Sequence, residues 1–390
     1  MQEITLIATT KFGLEALVKR ELHDLGFADV TVSEGRVAFA ATVNDIPRAN
    51  LWLRCADRVQ VKMGEFTAVS FDDLFEQTKA LPWEAWITPD GQFTVNARSV
   101  KSTLQSERTC QGIVKKAVAE RLSAAYGIDW FAETGAAYTI QVTIRKDEAL
   151  LTIDTTGPGL NKRGYREVSA AAPLKETLAA ALVLLSFWNK ERLLIDPFCG
   201  AGTILIEAAL IGRNIAPGLR RDFAAEGWTA VPEAAWRAAQ EEAEAAIDRT
   251  VELQLFGSDI DETAVAIARE NAVLAGVGGD ITFSRQDVRE LWIDQQYGIL
   301  ISNPPYGMRV SEYRTMNEIY IALNKMFRKK AGWSVYILTA DKKFPDYFKR
   351  ARPDRVRKLF NGNIQVTYYQ YYGQKPPPED DPAAPPEALS

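Results

Sequence analysis

The sequence predicts an α/β chain: two small α+β units in front, then a doubly wound, largely parallel sheet. Three observations predict it. From about Leu174 onward, short apolar strand candidates alternate with helical stretches, as in a parallel sheet. Before that, residues 1–66 read strand, helix, strand, strand, helix, strand, the order of a ferredoxin-like unit. Near the end, Asn361-Gly362-Asn363 stands between two strand-like runs, which is a strong hairpin signal.

In chain order, Ile4–Ala8 is apolar enough for a strand, and Leu14, Leu17, Val18, Leu22 and Leu25 recur at helical spacing. Val30–Val32 and Val37–Phe39 flank a turn at Glu34-Gly35. Ile46, Ala49, Leu51 and Leu53 mark a second helix, and Val59–Met63 a last strand. A second unit follows over 67–155, with a strand at Phe93–Ala97 and a helix carrying Ile113, Val114, Ala117, Val118 and Leu122. Its strand pair, Tyr138–Ile144 and Ala149–Ile153, turns at Lys146-Asp147. Gly157-Pro158-Gly159 reads as a linker. The third domain, 156–374, has strand candidates at Leu193–Ile195, Leu253–Phe256, Ile281–Phe283, Ile299–Ile301 and Val335–Leu338, then Val356–Phe360 and Ile364–Tyr372 around the hairpin. Between the first and second of these lies an insertion, about Gly212 to Asp248, with Arg220, Arg221 and Trp228; it fits a lid or a packing addition, and packing is slightly favoured. Residues 375–390 are Pro-rich and acidic, as in a disordered tail.

Composition narrows the function classes. Hydrophobic residues make up 47% and charged residues 25% of the 390, as in ordinary globular chains. No basic stretch leads into an apolar h-region and no apolar run reaches spanning length, so a cytoplasmic protein without membrane contact is expected. Cys55, Cys110 and Cys199 lie far apart without a CxxC, which speaks against a zinc site or disulfide framework. The one histidine, His23, lies in a polar helical stretch and makes a His-based triad or His-rich metal site improbable. The formal net charge of −5 gives no global nucleic-acid signature, so any such contact must be local. Arg98, Lys101 and Ser102 combine bases and a hydroxyl suited to phosphate, although an ordinary solvated loop carries the same residues. A later run, Lys342, Lys343, Lys349, Arg350, Arg352, Arg355 and Arg357, is partly neutralised by Asp341, Asp346 and Asp354 and has less weight.

Four motifs carry chemistry. Asp196-Pro197-Phe198-Cys199-Gly200-Ala201-Gly202-Thr203 follows a strand and opens a helix. Gly200 and Gly202 remove side chains where a ligand must approach backbone, and the helix start near Thr203 offers free N–H groups to a carboxylate. Leu205 stands where a dinucleotide fingerprint would need its third glycine. In Gly257-Ser258-Asp259-Ile260-Asp261, Asp259 ends a strand and can accept from two ribose hydroxyls, while Asp261 suits a helix cap. In Gln286-Asp287-Val288, the carboxylate can accept from an adenine amino group and a backbone N–H can donate to the ring. Finally, the strand Ile299–Ser302 ends in Asn303-Pro304-Pro305-Tyr306. An exocyclic base amine is a poor nucleophile because its lone pair is delocalised into the ring. Acceptors on Asn303 and the Pro304 carbonyl can localise that pair toward a methyl group, with Pro304 and Pro305 fixing the backbone. Tyr306 offers a face for an extruded base. Such chemistry works by alignment and needs no metal.

This order of motifs resembles the amino-methyltransferases, and a doubly wound sheet closed by an antiparallel last strand is the Rossmann-like, seven-stranded architecture of class I methyltransferases. The whole chain except its tail resembles the THUMP-domain RNA methyltransferases, and most closely the bacterial 23S rRNA guanine-N2 methyltransferase family. That family is often labelled as adenine-specific DNA methylases. Further carriers are Arg163-Gly164-Tyr165-Arg166, Ala172-Pro173-Leu174-Lys175-Glu176-Thr177-Leu178 and Asn214-Ile215-Ala216-Pro217-Gly218-Leu219. The resemblance implies a THUMP RNA-binding domain, S-adenosylmethionine as cofactor, Thr177 near that cofactor, and Arg163 and Arg166 near an RNA substrate. It implies cofactor contacts at Asp196, Phe198, Cys199, Gly200, Gly202, Thr203, Asp259, Ile260, Asp287, Val288 and Asn303. A tRNA guanine or a DNA adenine remains open as target, and a non-catalytic RNA assembly factor is the alternative of another class.

Overall fold

A computed structural model describes residues 3–166, 174–305 and 313–377. It divides into two compact units, Met1–Gly164 with Asn214–Ile247 and Tyr165–Arg213 with Asp248–Ser390. Among the described residues no helix is long and apolar enough to cross a membrane.

In the first unit β1 (Ile4–Thr9), α1 (Glu15–Asp24), β2 (Thr31–Ser33), β3 (Arg36–Ala41), α2 (Asp45–Trp52) and β4 (Arg58–Thr67) give the ferredoxin-like order, with β1 antiparallel to β3 and β4. Next come α3 (Phe71–Lys79), β5 (Gln92–Val100), α4 (Glu107–Tyr126), β6 (Ala137–Arg145) and β7 (Glu148–Asp154). The two small units share one seven-stranded sheet, ordered β2-β3-β1-β4-β7-β6-β5. The join is β4, which outruns the apolar stretch Val59–Met63. Past a register shift between Lys62 and Gly64, its polar second half pairs with β7 up to Thr67 opposite Glu148. Helix α3 also escaped the apolar pattern, because it buries only Leu74 and Thr78; a capping box between Ser70 and Asp73 starts it.

The insertion packs within this first unit. Trp228 stacks on Tyr138 with ring centroids 4.9 Å apart and donates from Nε1 to the Ala137 carbonyl at 3.1 Å. Helix α7 (Glu233–Ala245) reaches Arg48 through Glu242, an ion pair of 2.9 Å. The Arg221 guanidinium donates to the carbonyls of Gly159 at 2.6 Å and Lys162 at 2.9 Å, and so fastens the linker.

The second unit contains α5 (Glu176–Leu184), β8 (Leu194–Asp196), α6 (Thr203–Gly212), β9 (Leu255–Asp259), α8 (Glu262–Leu274), β10 (Ile281–Arg285) and β11 (Gly298–Ser302). It ends with α9 (Tyr313–Phe327), β12 (Trp333–Thr339), α10 (Phe344–Tyr347), β13 (Arg355–Asn361) and β14 (Ile364–Tyr371). The strand order is β10-β9-β8-β11-β12-β14-β13. Strands β8 to β12 run parallel, and β14 is antiparallel to both β12 and β13. This is the class I methyltransferase sheet. All seven residues of β12 are buried, with Trp333, Val335 and Ile337 packed on Leu300, Phe344 and Phe348. The strand order reverses between β8 and β11, and in such sheets a crevice opens outside the carboxyl ends at that point.

Candidate active site at the carboxyl ends of β8, β9 and β11

Asp196 ends β8 with its side chain buried at 2% exposure. Its Oδ1 accepts from the Phe198 N–H at 3.1 Å and from the Ser302 hydroxyl at the end of β11. Burial pushes its carboxyl up to about 7, and the nearby Asp259 pushes the same way. Burial likewise raises the Cys199 thiol, so it stays protonated and unreactive near neutral pH. The loop turns through Gly200 (φ +51) and Gly202 (φ +80) into α6. Asp259 ends β9 and grips this loop, accepting from the Gly200 N–H at 3.0 Å through one oxygen and from the Asp261 N–H at 3.1 Å through the other. Asp261 caps α8, as expected, by accepting from Thr263 N–H at 2.9 Å. Ile260 is 59% exposed beside them, an apolar side chain facing solvent at the edge.

Gln286 N–H donates to the Asp259 carbonyl at 2.9 Å, which ties the end of β10 to the end of β9. Asp287 is engaged: Arg289 donates to it from its backbone N–H at 2.9 Å and from its guanidinium, which lowers the carboxyl pKa. Val288 is buried in the following turn. Asn303 and Pro304 follow β11 directly, half-buried and buried, and Pro305 is exposed. Tyr306 lies outside the described residues. A cleft of about 200 Å³ adjoins the site, walled by Asp196, Pro197, Phe256, Ser258, Gln286 and Leu291.

Thr177 is buried in α5. The structure gives both linker arginines partners within the protein. Arg163 is 3% exposed and donates to the carbonyls of Leu160 at 2.9 Å and Arg54 at 2.6 Å, so its guanidinium holds the fold. Arg166, with a side chain 10% exposed, pairs with Glu176 at 3.1 Å and donates to the Thr203 hydroxyl. It anchors the first turn of α6 to α5 and presents no open surface. The resemblance places both near an RNA substrate, and the groups that hold them here are visible only in three dimensions. In the front unit Arg98 lies within β5, opposite Thr143, and is exposed, as is Lys101 (φ +53). Ser102 Oγ donates to Asp147 at 2.8 Å, which makes it a turn-holding residue first. Two roles went unread: Ser302 holds Asp196, and Glu176 holds Arg166. Both residues stand in runs quoted above, but the order of residues does not show which side chain each one meets.

Comparison with known proteins agrees with this geometry. Residues 163–370 match the RMKL-like methyltransferase domain, 68–154 the THUMP domain and 5–60 the RlmL ferredoxin-like domain. The chain is 46% identical over 376 residues to the "Putative RNA methyltransferase YpsC" of Bacillus subtilis, covering 96% of this chain and 97% of that protein. A structure from Listeria monocytogenes described as a predicted N6-adenine-specific DNA methylase is 45% identical, with a TM-score of 0.92 over 96% of this chain and 97% of that one. SMU.472, a methyltransferase candidate solved in complex with SAH, is 41% identical, with a TM-score of 0.91 over 97% of this chain and 100% of that one. The chain belongs to the family of methyltransferases in which an RMKL-like methyltransferase domain follows a ferredoxin-like and a THUMP domain.

Proposed function

We propose that this protein is an S-adenosylmethionine-dependent RNA methyltransferase acting on an exocyclic base amine, with guanine N2 of 23S rRNA as its target. The observation that carries the reading is the convergence of Asp196, Gly200, Asp259 and Asn303 at the carboxyl ends of three adjacent strands. The cofactor fits this chain's residues. A Cβ at Gly200 would meet nothing within 4 Å, so open space faces the loop there. The first N–H groups of α6 suit a carboxylate, buried Asp196 suits an ammonium, and Asp259 suits ribose hydroxyls. When bound, the cofactor supplies an activated methyl group. Asn303 and the Pro304 carbonyl hold the amine hydrogens so that the nitrogen lone pair points at it, an effect of alignment.

SMU.472 was solved with SAH bound, which supports the cofactor, and the Bacillus subtilis relative carries the name of an RNA methyltransferase, which supports the substrate. The Listeria protein is described as a DNA methylase instead; the THUMP match over 68–154 favours RNA. Mass spectrometry of nucleosides from a deletion strain is the test. Loss of N2-methylguanine from 23S rRNA is expected. Loss only from tRNA, or loss of N6-methyladenine from DNA, overturns the target. No change in any nucleoside, together with no cofactor binding by calorimetry, leaves the assembly-factor reading instead.

A further inference from the structure

At the opposite end of the same sheet, where β12 and β13 begin and β14 ends, lies a row of aromatic rings. Phe187 is 51% exposed and its ring centroid lies 4.5 Å from that of Tyr372. Tyr372 lies 6.3 Å from Tyr336, and Tyr336 stacks on Tyr368 at 5.9 Å. The Tyr336 hydroxyl accepts from the Phe187 N–H at 3.0 Å, which fixes the loop that carries the exposed ring.

Two guanidiniums flank this row. Arg192 donates to the Phe187 carbonyl at 3.2 Å and faces Tyr336, while Arg357 stands opposite Tyr368 in the β13–β14 register. Neither arginine makes an ion pair among the described residues, unlike Arg213 with Asp280 or Arg289 with Asp287. Arg192 Nη2, Arg357 Nε and the Gln370 amide nitrogen are buried without a protein partner. Burial lowers the pKa of both arginines, and the neighbouring Arg355 lowers that of Arg357 further. The tyrosines do not neutralise them: burial pushes the Tyr336 phenol up to about 12 and raises that of Tyr368 well above its ordinary value, so both stay neutral at pH 7. A part-buried positive charge without a counter-charge is costly, and an anion reaching it from solvent relieves that cost. Uncompensated arginines beside an exposed ring, Phe187, and a half-buried one, Tyr372, are the chemistry that grips a single strand, with phosphates on the guanidiniums and a base on a ring.

We propose that Phe187, Arg192, Arg357 and Tyr372 hold a single-stranded segment of the RNA substrate at the amino ends of the methyltransferase strands. The inference rests on the RNA reading above and extends it to a second contact. Arg192 and Asp196 are four residues apart, so along the chain this surface is at most about 14 Å from the candidate active site. It therefore holds RNA flanking the methylated base.

The test uses the full chain and a fluorescein-labelled 12-nucleotide oligouridylate. Affinity is measured across a salt series for wild type, the double variant Arg192→Gln with Arg357→Gln, and Phe187→Ala. We expect the double variant to lose at least about tenfold in affinity, as for two charge-assisted contacts, and its salt slope to fall by about 1.4. Phe187→Ala should weaken binding with its slope unchanged. Replacing both arginines by lysine should restore most of the slope. Independently of any variant, wild type irradiated with 4-thiouridine-labelled RNA should give adducts on the peptides containing Phe187 or Tyr372. Unchanged affinity and slope in the double variant, or adducts only elsewhere, overturn the proposal. Wild type that methylates RNA in such a result keeps the RNA reading; wild type that neither binds nor methylates RNA removes both.

Discussion

Burial penalises the charged form of Asp196 and Asp259 repels it, while Ser302 and the Phe198 N–H favour it; the outcome is a carboxyl at about 7. In the unfolded chain an aspartate titrates near 3.9. The native state therefore binds the extra proton between these values, and this group makes stability fall as pH rises from about 4 through about 7, with no further change above. A ligand ammonium beside Asp196 reverses the preference and favours the carboxylate. Binding of S-adenosylmethionine near pH 7 should thus release a fraction of a proton, read as a dependence of calorimetric heat on the buffer's ionisation enthalpy. Asp196→Asn should lose that dependence; a wild type without it would show that Asp196 does not face the ammonium. Asp259→Ala should weaken cofactor binding by roughly 1.5–3 kcal/mol, the scale of a charge-assisted hydrogen bond, and unchanged affinity would sink its ribose role. Asn303→Ala should lower single-turnover methylation far more than RNA affinity, because its contact acts on the reacting nitrogen. At this scale the sequence was legible where a residue's role is local. Asp261, placed just before a helical stretch, reads as a helix cap from its order alone, and it caps α8. Arg163 did not reveal itself, because its acceptor on Arg54 is 109 positions away.

The Pro197–Gly202 loop distinguishes two glycines that look alike in sequence. At Gly202 a Cβ would sit 3.0 Å from Phe283 Cζ and 3.1 Å from the Ala268 Cβ, with φ +80. Gly202→Ala should therefore destabilise the protein by about 1–3 kcal/mol through strain and crowding. At Gly200 a Cβ would meet open space, so Gly200→Ala should cost about 1 kcal/mol for its φ of +51 and act mainly by filling the ligand's approach. Thermal melts and cofactor titrations on the two variants separate these effects. If both variants lose only stability, the loop does not cradle a ligand. The central parallel strands β8, β11 and β12 were legible because each carries an apolar run buried on both faces, as in Ile299–Ile301. Helix α3 and the second half of β4 were not, since one is held by a cap and the other by backbone pairing with β7. Neither force leaves an apolar period.

Chain order hides one feature of the whole molecule that changes how its parts can be separated. The chain leaves the second unit at Arg213, contributes Asn214–Ile247 to the first and returns at Asp248. Nothing in the sequence of that segment marks its partner, because Phe223, Trp228 and Trp236 are apolar enough to pack anywhere. Removing residues 1–155 alone would therefore strip Trp228 of its Tyr138 stack and Glu242 of Arg48, leaving a large apolar surface in water. That truncated chain should aggregate even though every motif residue is retained. A cleaner division follows from the ends of the excursion. Asp248 N–H donates to the Arg213 carbonyl at 2.7 Å, and the Arg213 guanidinium donates back to the Asp248 carbonyl at 3.1 Å. The two ends are thus already joined, and a short loop can close them at small entropic cost. A chain of residues 165–213, two glycines and residues 248–390 should be soluble, melt cooperatively and bind S-adenosylmethionine with an affinity close to that of the full protein. It should methylate RNA poorly, having lost the THUMP domain. Calorimetry and circular dichroism on this chain and on residues 156–390 decide the matter. An unfolded excised chain, or equal solubility of the two, would show that Asn214–Ile247 is part of the catalytic unit's own core.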